Sequence, residues 1–185
     1  MRLFVAVEIE GRVKERIARL QGRLKTYDPI GAVRWVRPEN LHLTLKFLGE
    51  VQDDVLPPLE RALERVGHQV RPGVINLRGV GVFPRWDRPR VIWVGAPKAD
   101  TLAEAAAAVD AALVPVGFEP EERPFAPHLT IGRVRRSPGD GFAEVCKKYD
   151  QTDFGTISLD EVSLVRSRLT PKGPIYTVLR RFSLG

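Results

Sequence analysis

Two segments of the chain repeat one another. Arg37-Pro38-Glu39-Asn40-Leu41-His42-Leu43-Thr44-Leu45 and Arg123-Pro124-Phe125-Ala126-Pro127-His128-Leu129-Thr130-Ile131 share the pattern RPxxxHLT[LI] at a separation of 86 residues. The chain has three histidines, so two of three carry the motif. On composition alone that coincidence has odds of roughly one in a million. A histidine titrates near neutrality, so a facing pair can hold one ring protonated and one neutral, a general acid opposite a general base. Cleavage of a phosphodiester needs that combination: a base to deprotonate the attacking oxygen and an acid to protonate the leaving one. Thr44 and Thr130 can donate hydroxyl hydrogen bonds to the non-bridging oxygens, where charge builds up in the transition state. Such chemistry calls for no metal and no other cofactor.

The spacing has a physical meaning on a strand, where residues two apart share a face. His42 and Thr44 then project together while Leu43 and Leu45 anchor in a core, and His128 and Thr130 do the same in the second copy. If the two halves pack about a pseudo-twofold axis, two imidazoles and two hydroxyls converge on one groove. A single His or Thr on a strand is ordinary β-structure; the matched pair is not. A two-histidine metal site is a rival reading, but no carboxylate cluster accompanies it at ligand spacing, and both repeats carry Thr where a ligand would stand. His68, in a polar stretch after a helix, reads as a surface residue.

The elements that must position these residues follow from periodicity. Residues 3–9 read as a strand and 11–25 as an amphipathic helix with Val13, Ile17, Leu20 and Leu24 on one face. A turn at Pro38-Glu39-Asn40 precedes a strand over 41–48, and a second helix runs over about 54–66 with Val55, Leu59, Leu63 and Val66 aligned. Strands are expected over 74–83 and 91–94, with a loop over 84–89 between them that carries Arg85, Trp86 and Arg88. Thr101-Leu102-Ala103-Glu104 is a capping-box pattern opening a helix to 113. The second motif lies in 123–134, a short helix over 142–149 follows, and strands close the chain over 156–167 and 175–182. Strands and helices mix without strict alternation, which points to α+β with antiparallel sheet.

At 185 residues the chain suits one domain of two closely packed lobes, each carrying one motif, at 42–45 and 128–131. A hydrophobic fraction of 43% and a charged fraction of 28% exclude disorder and fibrous repeats. No stretch is long and apolar enough to span a bilayer, and the acidic, alternating start differs from a signal peptide, so a cytoplasmic protein is expected. One cysteine, Cys146, leaves no internal disulfide and no cysteine-based metal site. The net charge is +6 with pI ≈ 9.8, and 22 of the 29 basic residues are arginine, whose planar fork suits phosphate.

The two HLT[LI] motifs, the run from Arg34-Trp35-Val36 through Glu39-Asn40-Leu41-His42 to Gly49-Glu50-Val51, and the segments Gly81-Val82-Phe83-Pro84, Arg90-Val91-Ile92-Trp93-Val94-Gly95 and Leu164-Val165-Arg166-Ser167 resemble the two-histidine (2H) phosphoesterases. The likeness covers essentially the whole chain and is greatest to the RNA 2′,3′-cyclic phosphodiesterases, historically called 2′-5′ RNA ligases. The resemblance implies a bilobal α+β fold, antiparallel sheets facing a central groove with helices outside, and metal-independent hydrolysis of an RNA 2′,3′-cyclic phosphate to a 2′-phosphomonoester. It implies that His128 activates water and His42 protonates the departing 3′ oxygen. Arg133, five residues after His128, matches an arginine that the family places near the phosphate. Phe47 holds the equivalent place after His42, where it either stacks on a base or joins the core. Arg85, Arg88, Arg135, Arg136 and Trp86 form either a rim for the RNA backbone or general surface charge.

The expected partner is therefore RNA with a 2′,3′-cyclic phosphate end or a nucleotide cyclic phosphate, bound by a monomer with no obligate protein partner and no membrane. Reversible 2′-5′ ligation, hydrolysis of a small cyclic phosphate, and a non-catalytic nucleotide- or RNA-binding module are the alternatives.

Overall fold

The structure is a computed structural model and describes residues 1–9, 11–139, 141–171 and 173–185. Its strands are β1 (Arg2–Glu8), β2 (Val33–Trp35), β3 (His42–Glu50), β4 (Gly73–Arg85), β5 (Arg88–Gly95), β6 (His128–Val134), β7 (Asp153–Leu159), β8 (Glu161–Thr170) and β9 (Gly173–Ser183). The helices are α1 (Gly11–Lys25), α2 (Leu56–Gly67), α3 (Asp100–Leu113) and α4 (Phe142–Lys147). All described strand pairs are antiparallel, in the order β7-β4-β5-β6-β3-β1-β8-β9, with β2 added on β6. The α+β expectation is borne out.

The order is symmetric about its middle. One lobe runs outward from β3 through β1, β8 and β9, the other from β6 through β5, β4 and β7, and the two meet at the register pair Leu43↔Leu129. The helices cross between them. The chain leaves β1 of the first lobe into α1, which packs against β7 and α4 of the second; it leaves β5 of the second into α3, which packs against β3 and α2 of the first. Each helix is amphipathic for that reason. Val13, Ile17, Leu20 and Leu24 of α1 are buried as their spacing requires, each contributing about 1.5–3 kcal/mol.

Buried polar groups fix the same junctions. Lys46 on β3 is only 3% exposed and reaches α3, donating to Asp110 Oδ1 at 2.5 Å and to the Glu119 carbonyl at 2.8 Å. Gln21 on α1, 2% exposed, donates through Nε2 to the carbonyls of Val36 at 2.7 Å and Ile131 at 2.8 Å. Gln21 and Asp110 each lie ten residues past the first residue of their helix, so the pseudo-symmetry extends to these polar ties.

Several local expectations need correction. The helix expected over 54–66 begins at Leu56, because Pro57 and Pro58 occupy its first positions and a 3-10 turn at Asp53–Val55 leads into it. The capping box at Thr101 does not form. α3 starts at Asp100 after Ala99, with no side-chain cap, so Thr101 is already helical and packs against Gly73. The strand expected over 156–167 is two strands, β7 and β8, in different lobes, turning at Asp160 without the Gly or Pro that usually marks such a break. The loop over 84–89 contracts to Trp86 and Asp87, since β4 and β5 pair as far as Arg85↔Arg88.

Candidate active site

The central register pair sets the site. Leu43 and Leu129 oppose each other and are buried. Carried one step either way, that antiparallel register sets His42 beside Thr130 and Thr44 beside His128, all four on the face opposite the leucines. The structure thus brings the four motif side chains to one face of the sheet, and all four are half-buried.

Strict alternation past the motifs would turn residues 47 and 133 into the core. Both are exposed instead, Phe47 by 61%. The cause is a matched pair of bulges. On β3, Val5↔Lys46 is followed directly by Ala6↔Thr44, which leaves Leu45 unpaired. On β6, Ile92↔Gly132 is followed by Trp93↔Thr130, which leaves Ile131 unpaired. Each bulge adds one residue on the buried side and resets the period, so Phe47 and Arg133 share the face of the histidines. Gln21 holds the carbonyl of the second bulge residue, Ile131, which also accepts from the Val36 amide at 3.0 Å.

Each imidazole is tied the same way. His42 Nδ1 lies 2.7 Å from the Asn40 carbonyl, and His128 Nδ1 lies 2.7 Å from the Ala126 carbonyl. A carbonyl can only accept, so Nδ1 carries the hydrogen in both rings and Nε2 is left for chemistry. Asn40 is buried, and its own Nδ2 donates to the Pro174 carbonyl at 2.9 Å, linking the support of His42 to the start of β9.

The ring environments differ. His42 packs between Phe4 (centroids 4.8 Å apart) and the edge-on ring of Tyr176 (5.2 Å). His128 meets Phe83 edge-on at 4.9 Å, and Phe83 packs on Trp93 at 5.2 Å. Trp93 lies across Gly81, where a Cβ would come within 2.2 Å of its benzo ring, so only glycine admits it there. Burial holds the His42 pKa below its ordinary value against the hydrogen bond to Asn40, and the charges of Arg133 and His128 lower it further. Burial raises the Tyr176 phenol, with Arg133, Arg2 and Arg34 pulling the other way.

Across the β1–β3 register from His42 stands Glu8, held by Arg181 Nε at 2.9 Å and Nη2 at 3.2 Å and by Ser163 Oγ at 2.8 Å. Its carboxyl pKa is lowered first by the hydrogen bond from Arg181. A cavity of ≈ 760 Å³ opens beyond His128, walled by Trp93, Gly95, Pro127, Lys98 and Arg78. Among the described residues no three His, Cys, Asp or Glu side chains gather as a metal-ligand set.

Arg85 pairs with Asp87 at 2.8 Å, Arg136 Nη2 donates to the Ile30 carbonyl, and Trp86 packs on the core beneath Lys147. His68 is exposed at the end of α2. Sequence reasoning missed Gln21, Arg34, Asn40 and Tyr176. Gln21 had a visible signal, a polar residue within the apolar stripe of α1. Tyr176 had none, since nothing in its neighbourhood announces that β9 returns beside His42.

The profile described as LigT like Phosphoesterase matches the chain twice, over residues 7–93 and 94–176, one motif in each. The chain belongs to this family. Among its relatives, the RNA 2′,3′-cyclic phosphodiesterase of Methanothermobacter thermautotrophicus is 38% identical over 185 residues, covering 100% of this chain and 99% of that protein. The protein of the same name from Archaeoglobus fulgidus is 40% identical over 182 residues, covering 98% and 99%. Of solved structures, TT0787 of Thermus thermophilus superposes with a TM-score of 0.81 at 32% identity, covering 100% of this chain and 98% of that one. E. coli LigT complexed with 3′-AMP gives 0.79 at 26%, covering 99% and 97%. No helix among the described residues is long and apolar enough to cross a membrane.

Proposed function

We propose that this LigT-like phosphoesterase hydrolyses RNA 2′,3′-cyclic phosphate ends to 2′-phosphomonoesters with His42 and His128 as its acid–base pair. The observation that carries the reading is the matched pair of imidazoles, each fixed through Nδ1 to a backbone carbonyl two residues earlier, on one face with both threonines. The activity carried by the relatives' names agrees with it.

In this mechanism His128 Nε2 takes a proton from water as the water oxygen bonds to phosphorus. The bond from phosphorus to the 3′ oxygen breaks, and His42 Nε2–H protonates that oxygen. Burial makes the His42 imidazolium a stronger acid, and the negative charge of the bound phosphate offsets Arg133 and helps the proton reside there. Thr44 and Thr130 donate to the non-bridging oxygens, Arg133 supplies a guanidinium to the anion, and Phe47 offers a ring for a base to stack on.

The reading takes the chain as one domain of two lobes, supported by the continuous sheet and by a buried core that draws residues from both halves. It takes the protein as a cytoplasmic monomer. The lone Cys146 is buried, with its thiol pKa raised to about 12 by burial, which suits an unreactive packing residue.

The test is hydrolysis of an oligoribonucleotide 2′,3′-cyclic phosphate in excess EDTA by the intact protein, His42→Ala and His128→Ala, with the product end identified. A 2′-phosphate formed under EDTA, and slowed by orders of magnitude in both variants, is the expected result. Tight binding of this RNA without turnover would assign the groove to a binding module instead.

A further inference from the structure

Arg34 stands directly opposite Arg133 in the β2–β6 register. Like charges facing across a strand pair destabilise it unless something neutralises them. Among the described residues no carboxylate forms an ion pair with Arg34, Arg133 or Arg2. Glu50, across from Arg2 in the β1–β3 register, pairs instead with the Met1 ammonium at 3.6 Å.

Arg34, on β2, also reaches β9. Its guanidinium lies against Gly173 at the start of β9, where a Cβ would come within 2.5 Å of Nη2. Gly173 has φ +122, so both its conformation and this contact favour glycine. From there the charge of Arg34 acts on Tyr176, as do those of Arg133 and Arg2, and the edge of Tyr176 meets His42. Three arginines thus act through their charge on one phenol, whose ring meets one of the two histidines. A cyclic phosphate carries one negative charge, so the arginines exceed what it can neutralise.

We propose that Arg34, with Arg2 and Tyr176, forms a second phosphate site beside the histidine pair, which takes the internucleotide phosphate on the 5′ side of the terminal nucleotide. The proposal rests on the cyclic phosphodiesterase reading and assigns the recognition of a polynucleotide end, over a nucleoside cyclic phosphate, to named residues. Two exposed guanidiniums facing each other across a strand pair are mildly unfavourable without an anion between them, and a single-stranded RNA end brings one at each linkage.

The test compares kcat/KM for a short oligoribonucleotide 2′,3′-cyclic phosphate with that for a nucleoside 2′,3′-cyclic phosphate lacking a 5′-phosphate. The intact protein is expected to prefer the oligonucleotide. Arg34→Gln should shrink the preference ratio about 10- to 100-fold, the size of a lost charge-assisted contact. It should also flatten the log–log salt dependence on the oligonucleotide by about 0.7. Arg34→Lys, which keeps charge but not the fork, should fall between. Equal losses on both substrates, or an unchanged ratio, would overturn the proposal.

If the intact protein turns over neither substrate, the phosphodiesterase reading fails on its own. The site is then tested by equilibrium binding of a 2′-phosphate-ended oligonucleotide at two salt concentrations. Weaker, less salt-dependent binding by Arg34→Gln supports the site, and unchanged binding overturns it.

Discussion

Gln21→Leu removes the amide that ties α1 to the bulge beneath Arg133 while nearly keeping the volume. Nε2 makes two short hydrogen bonds in a buried setting, to Val36 O at 2.7 Å and Ile131 O at 2.8 Å. The Ile131 carbonyl keeps the Val36 amide at 3.0 Å, so it loses one of two donors. That loss costs about 0.5–1.5 kcal/mol, and the part-buried Val36 carbonyl stripped of its donor costs at most about 1–3 kcal/mol. The sum is about 1.5–4.5 kcal/mol. At about 2–4 °C per kcal/mol for a chain of this size, Tm should fall by about 3–18 °C. Gln21→Glu should be worse, because it turns a buried carboxylate towards two carbonyl oxygens. Thermal and urea unfolding followed by circular dichroism measure both variants, and kcat/KM at a temperature where each is folded shows whether Arg133 still meets the phosphate. A Gln21→Leu protein within 0.5 kcal/mol of the parent, or a Gln21→Glu protein no less stable than it, would refute the tie between helix and bulge.

Asp110→Ala leaves the buried Lys46 ammonium with the Glu119 carbonyl at 2.8 Å and the more distant Glu121 carboxylate at 3.9 Å, and should destabilise by up to about 3–5 kcal/mol; Lys46→Met added to it should restore most of the loss, measured by urea unfolding. Arg133→Gln removes a cation that lowers the His42 pKa, so that pKa should rise, read from the imidazole resonances across a pH titration; a fall would contradict the geometry. Phe47→Ala, on a side chain 61% exposed, should leave Tm nearly unchanged yet raise KM for RNA, since a stacked base is worth about 1–3 kcal/mol; a large loss of stability would make Phe47 a packing residue.

What was legible in the sequence followed from period and repetition. The helix stripe of Val13, Ile17, Leu20 and Leu24, the strand face of His42 and Thr44, and the duplicated motif each state a local rule that the fold obeys. The equivalence of Phe47 and Arg133 was also visible, but not its cause. Two bulges turn these residues outward, and a bulge is defined by the partner strand. The split at Asp160 was missed because no Gly or Pro marks it: the one local sign is a change of phase at Asp160-Glu161, two polar residues in a row, and it is the pairing of β7 with β4 and of β8 with β1 and β9 that divides the segment. Thr101 and Glu104 fit a cap pattern, yet Asp100 was as able to start the helix, and packing of Thr101 against Gly73 favoured the longer one. Tyr176, Arg34 and Asn40 entered the site through contacts between segments far apart in sequence, which no local pattern carries.

The central claim is that His42 and His128 divide one acid–base step, and a change of leaving group tests that division most directly. His42→Ala and His128→Ala are assayed on the RNA 2′,3′-cyclic phosphate and on a phosphodiester that releases p-nitrophenolate, which departs without a proton. The account predicts that His42→Ala, crippled on RNA, recovers much of its rate on the aryl ester, whereas His128→Ala stays slow on both. Recovery by His128→Ala alone would reverse the two roles, and equal, unrecovered losses in both would contradict a proton transfer to the leaving oxygen by either histidine.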